Sequence, residues 1–216
     1  MQRVFDMKII RSFGVIGILL LGACSSSGSS DYQALLTNPP QTYQTLSEAV
    51  KSEETFFVEV DDWETFGVRI TDPAIQQGDS LNNFKIGRTT LETDHKYRIH
   101  VSTLCYECLG FRKKVMPFNA YLFDPDYQQI ETIKGEVQGM GGGGGINIVT
   151  SKAGDYYVLV AADNSIIAET FAGQIDLSTS GVESVKAMEG GGLKGYPVYP
   201  SPEGSLMLHV LPVEEE

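Results

Sequence analysis

A chain of 216 residues, 42% of them hydrophobic and 20% charged, has the composition of a folded globular protein. Its 16 Lys+Arg stand against 28 Asp+Glu, a formal charge of -12, so it lacks the basic face that neutralises phosphates; this argues against nucleic acid as a partner. The same shortage of cations argues against electrostatic docking onto anionic lipid, so membrane attachment would need another device.

The chain opens on a basic stretch containing Arg3, Lys8 and Arg11, then runs apolar for nine residues from Phe13 to Leu21. A spanning helix needs about 20 such residues, whereas a basic stretch, a short apolar run and small residues make an export signal. Met7 is an alternative start, giving the tidier leader "MKIIRSF". Leu21-Gly22-Ala23-Cys24 fits a bacterial lipoprotein cleavage site, with residues 1–23 as the signal peptide and Cys24 as the lipidated residue. Ser25 stands where an aspartate would retain the product at the inner membrane. The expected location is therefore the outer membrane, lipid-anchored, on the periplasmic face. "CSSSGSSD" has the composition of a flexible tether, and residues 24–52 read as tether and lead-in to a domain over 53–216. Asn38-Pro39-Pro40 breaks any helix there, and Ser47 is expected to cap one brief turn through Lys51.

From Thr55 the apolar residues recur every second position, the spacing of half-buried strands. Phe56, Val58 and Val60 share one face, then Phe66, Val68 and Ile70, then Tyr97, Ile99, Val101 and Thr103. "FNAYLF", the turn "DPDY" and "QQIETI" read as two strands around a tight turn. "INIVTS", the turn "KAGD" and "YYVLVAAD" read as a hairpin, with "FAGQIDL" and "SLMLHVL" as the last strands. Short strands without a long amphipathic helix predict an all-β fold, a β-sandwich, with a jelly-roll as one topology it can take. "GEVQGMGGGGGINIV" lacks the Gly-Lys-Ser/Thr and following helix of a phosphate loop, and five consecutive glycines have the most backbone entropy to lose, so a loop is expected there.

Cys24 apart, two cysteines remain, Cys105 and Cys108. In an oxidising compartment two thiols in reach of each other are expected to join, and a disulfide closing so short a loop stabilises by roughly 2 kcal/mol. A redox couple is the rival reading, since Arg112, Lys113 and Lys114 can lower a thiol pKa, although the long helix of a thioredoxin-like setting is missing. Zinc needs four ligands, and only His95 and His100 lie nearby, so no metal site is expected.

The sequence holds no zinc-protease helix and no nucleophile elbow, and no cofactor is implied. His209 reads as a satisfied strand histidine and His95 as a turn residue beside Asp94, while "DPDYQQIE" lacks the glycine and spacing of a calcium loop. An enzyme is the less favoured class. Trp63 between Asp62 and Glu64 combines an aromatic face with acceptors, the features sugar rings favour, against the commoner role of a lone tryptophan in or near the core. Tyr196 and Tyr199 form a second aromatic cluster in a proline-rich segment.

"YQTLSEAV" before "FFVEVDD", then "VMPFNAYLFDPDYQQIETI", "GDYYVLVAADN" and "SPEGSLMLHV", occur in that order between Tyr43 and Leu211. In these stretches the chain resembles the maltose-operon periplasmic protein family, exported β-rich proteins associated with maltodextrin uptake. The resemblance implies a non-catalytic envelope component assisting carbohydrate transport, with a glycan or an envelope protein as partner. It supplies no catalytic residues. The Cys105/Cys108 pair and the pentaglycine run depart from the family pattern. A periplasmic thiol-disulfide protein and a purely structural envelope lipoprotein are the alternatives.

Overall fold

A computed structural model describes residues 28–104, 113–138, 141–165, 167 and 198–213. Among them are two helices, α1 (Gly28–Thr37) and α2 (Leu46–Ser52), and fourteen strands. The strands are β1 (Thr42–Tyr43), β2 (Phe56–Phe57), β3 (Asp62–Val68), β4 (Ala74–Gln77), β5 (Ser80–Leu91), β6 (Lys96–Leu104), β7 (Lys113–Val115), β8 (Phe118–Phe123), β9 (Gln129–Lys134), β10 (Glu136–Gln138), β11 (Gly141–Val149), β12 (Gly154–Ala162), β13 (Val198–Pro200) and β14 (Gly204–Pro212).

One sheet runs β1-β4-β5-β12-β8-β9, with β2 also on β5; a second runs β10-β11-β6-β14-β3, and β7 and β13 pair in a small third. The principal strands of the two main sheets are ordered β5-β12-β8-β9 and β3-β14-β6-β11. Along the chain these eight pass from sheet to sheet at every step except β8 to β9, the connectivity of a jelly-roll. The all-β sandwich expected from the two-residue periodicity is the observed fold.

The alternation expected in β6 holds: Tyr97, Ile99, Val101 and Thr103 are buried. Between the sheets they meet Leu206, Leu208 and Val210 of β14 and Tyr156, Val158 and Val160 of β12. Each such side chain contributes about 1.5–3 kcal/mol on burial. The outer face of the larger sheet is covered too: Ala49 and Val50 of α2 and Tyr43 pack on Phe84, Ile86, Leu159 and Ala161. A strand buried on both faces reads as a continuous apolar run, which explains "YYVLVAA".

Four expectations are corrected. The hairpin of "INIVTS" with "YYVLVAAD" does not form, because β11 pairs with β6 and β10 while β12 pairs with β5 and β8. The chain crosses between sheets at a corner where Thr150 Oγ1 lies 2.5 Å from the Glu92 carbonyl oxygen and accepts the His95 N–H at 3.2 Å. The glycine run is not a loop: Gly141 to Gly145 lie in β11, where the ladder with β6 offsets their entropy cost. The lead-in belongs to the packed body, since Tyr32 and Leu35 of α1 bury against Ala74, Leu81 and Ile167, and the Tyr32 hydroxyl accepts the Leu81 N–H at 3.2 Å. Finally, Thr45 rather than Ser47 caps α2; its side chain accepts the Glu48 N–H at 3.2 Å.

Six of these strands were missed by periodicity, among them β4 and β5. β4 and β5 form a hairpin on the two-residue turn Gly78-Asp79, with Gly78 at φ 59°. β5 carries Asn82, Asn83, Lys85 and Arg88 among its apolar residues, which hides its alternation. Asn82 and Asn83 are buried because they bond elsewhere: Asn82 accepts the Asn164 N–H, and Asn83 donates to the Asp72 carbonyl.

Candidate functional site

Strand alternation sends Arg98, His100, Ser102 and Leu104 of β6 to the face away from the core. On the neighbouring strands Met207 and His209 of β14 do the same. The register then lines up Gly145, His100, His209 and Trp63 in one row across four strands. The row on one side is Gly143, Ser102, Met207 and Thr65; that on the other contains Asn147, Arg98 and Leu211. The eight positions of the first two rows hold no carboxylate, lysine or arginine, in a chain with 28 acidic residues.

Trp63 is 61% exposed, the most exposed aromatic side chain among the described residues. The turn before β3 places it there: Asp61 adopts φ 66° and its N–H reaches the Val210 carbonyl at 2.7 Å, while the Asp62 carboxylate accepts the Trp63 N–H at 2.7 Å. The indole meets the His209 imidazole edge-on, with ring centroids 6.1 Å apart.

His100 explains why glycine stands opposite. A Cβ on Gly143 would lie 3.3 Å from His100 Nε2, and one on Gly145 would lie 3.1 Å from Cδ2. The ring edge therefore rests against bare backbone. Burial, followed by the charges of Arg98 and His209, lowers the His100 pKa below its ordinary value and keeps the imidazole neutral at pH 7, with one nitrogen donating and one accepting. A flat indole beside two imidazoles suits stacking and neutral hydrogen bonding. Among the described residues no group of three or more His, Cys, Asp or Glu is placed to hold a metal.

Elsewhere several polar and aromatic groups pair with one another. In the "DPDY" turn Asp124 accepts the Asp126 and Gln128 N–H groups at 2.9 and 2.8 Å, and Lys152 bridges Asp126. On the larger sheet Tyr127 stacks on Tyr157 with centroids 5.0 Å apart, and the Lys51 ammonium lies 5.7 Å from the Tyr127 ring. A cleft of about 320 Å³ at the far end of β3 is lined by Arg69, Glu203 and Ser205.

Of the residues singled out by sequence, Trp63 is thus on the surface rather than in the core. Tyr199 lies in β13, which pairs with β7 and leads toward Gly204 opposite Val68. That is the other end of the β3–β14 pair from Trp63. Cys24, Cys105, Cys108 and Tyr196 lie outside the described residues, as does "FAGQIDL". His95 is exposed, and its nearest acid is Glu92 at 3.5 Å rather than Asp94. His100 and His209 were not linked to Trp63 by sequence, because no local signal reports the register of strands 37 and 109 residues apart.

No family model and no curated protein matches the sequence. Among solved structures, the chain is similar to the pre-peptidase C-terminal domain of a collagenase from Bacillus anthracis, at 14% identity and a TM-score of 0.33, covering 73% of this chain and 95% of that one. It is also similar to a periplasmic inhibitor of g-type lysozyme from Aeromonas hydrophila, at 10% identity and a TM-score of 0.30, covering 73% of this chain and 97% of that one. Neither likeness carries an argument about what this chain binds or does.

Proposed function

We propose that the chain is a non-catalytic envelope lipoprotein, anchored through Cys24 at the outer membrane, whose jelly-roll faces the periplasm and binds a glycan at Trp63. The leader ending in Leu21-Gly22-Ala23-Cys24 supports the anchor and the compartment. The resemblance to maltose-operon periplasmic proteins supports a part in maltodextrin uptake. One observation carries the binding claim: the lone tryptophan stays 61% exposed at the end of a row that holds no charged residue. Leaving so large a ring in water forgoes roughly 2 kcal/mol of burial, which engagement by a ligand recovers.

Calorimetry and retention on immobilised maltodextrin test this with the full chain. Trp63→Ala is expected to weaken binding at least about tenfold while leaving the urea midpoint unchanged. Absence of both heat and retention in the unsubstituted chain counts against the glycan. Capture of one envelope protein by a crosslinker placed at residue 63 would favour a protein partner instead.

A further inference from the structure

We infer that the ligand is an uncharged, extended oligosaccharide lying across the strands, from Trp63 over His209 to His100, whose ring rests on Gly145. This rests on the glycan reading above and gives that site its length, direction and ligand class.

The row spans three strand spacings, roughly 14 Å at about 4.8 Å each. A single ring stacked on Trp63 would use one end of it. The residues beyond Trp63 share the properties a neutral polyhydroxyl chain needs. His209 lies edge-on to the indole and continues the aromatic surface. His100 is held neutral, so it accepts and donates without demanding a counter-charge. Gly143 and Gly145 leave room for the His100 ring to lie against β11, which fixes the far end of the row. The row of Ser102 adds a hydroxyl from Thr65 and the polarisable thioether of Met207.

Charge selects against other occupants. An anionic glycan would meet a protein of net charge -12, with Arg98 in the row flanking His100 as the one cation beside the track among the described residues. For a cationic peptide, the rows of His100 and Ser102 hold no carboxylate to pair with, and Asp62 beside Trp63 is engaged by the Trp63 N–H.

The test is a titration of the full chain with linear glucans from glucose to the hexasaccharide, and with oligogalacturonate as the charged counterpart. Affinity is expected to rise by at least about tenfold from the monosaccharide and then level off once the row is filled, with oligogalacturonate weaker by a similar factor. Trp63→Ala should weaken every length, whereas His209→Ala and His100→Ala should flatten the dependence on length. Gly145→Ala, which presses on the imidazole, should act like His100→Ala, and circular dichroism on each variant reports whether it is folded. A length-independent affinity, or unaltered length dependence in both histidine variants, overturns the extended track and leaves the Trp63 site standing. No binding by the unsubstituted chain overturns both. Self-association of the chain abolished by Trp63→Ala would make the face a contact between copies and overturn the inference as well.

Discussion

Tyr127 adopts φ 61°, a conformation that costs an L-residue about 1–2 kcal/mol and that hairpin loops usually assign to glycine or asparagine. The ring compensates by stacking on Tyr157 and lying beside Lys51. The Tyr157 hydroxyl donates to that of Tyr127 at 3.3 Å; this bond first, and burial second, push the Tyr157 phenol up to about 12. Tyr127→Gly removes the strain but also the stack and the hydrogen bond, and it frees the unfolded chain. We expect a net loss of about 1 kcal/mol in urea unfolding, with the Tyr157 phenol titrating nearer its ordinary ~10 by ultraviolet absorbance. A gain in stability would show that the ring does not compensate. His100 gives the acid counterpart. Its folded pKa is lowered by burial and by Arg98 and His209, so below about 6.5 the unfolded chain binds the proton more readily. Stability from this group is complete above that pH and is lost as pH falls toward the folded pKa. In His100→Gln the unfolding midpoint should therefore change less between pH 7 and 5 than in the unsubstituted chain; equal slopes would contradict a neutral, buried imidazole.

At the scale of elements, β11 shows how backbone pairing overrides composition. Five glycines have no strand propensity, yet β6 pairs with them along the whole run. Close approach also requires glycine at one of them: a Cβ on Gly144 would lie 2.6 Å from the Lys134 carbonyl oxygen and 2.7 Å from Ile133 Cγ2. Gly144→Ala must displace backbone, and we expect it to cost about 2 kcal/mol in urea unfolding. Gly145→Ala meets only the movable His100 ring at its closest contact and should cost less. Equal costs would mean that β9 yields as easily as a side chain. The strands that alternate cleanly, such as β6 and β14, were legible from sequence. β5 was not, because it fills the middle of a sheet while carrying asparagines whose partners lie on distant segments. The supposed hairpin failed for a related reason. A short turn between two apolar runs is the same whether the runs pair with each other or lie in opposite sheets.

At the scale of the whole molecule, the reading joins a lipid anchor to a binding face. Acyl chains on Cys24 would each contribute about 0.8 kcal/mol per buried CH₂, and the acidic body adds no electrostatic attraction to anionic lipid. Cys24→Ser should therefore move the protein from the membrane fraction to the soluble one on cell fractionation; unchanged partitioning would refute the anchor. The sequence by itself determined the all-β class, the inward face of β6 and the acidity that argues against nucleic acid. Each of these follows from composition or from the order of neighbouring residues. Only the tertiary structure decided that the sandwich is a jelly-roll, that the glycines form a strand, and that His100 and His209 stand in one row with Trp63. Those outcomes depend on which strand lies beside which and in what register, and that is set by packing between segments far apart in the chain.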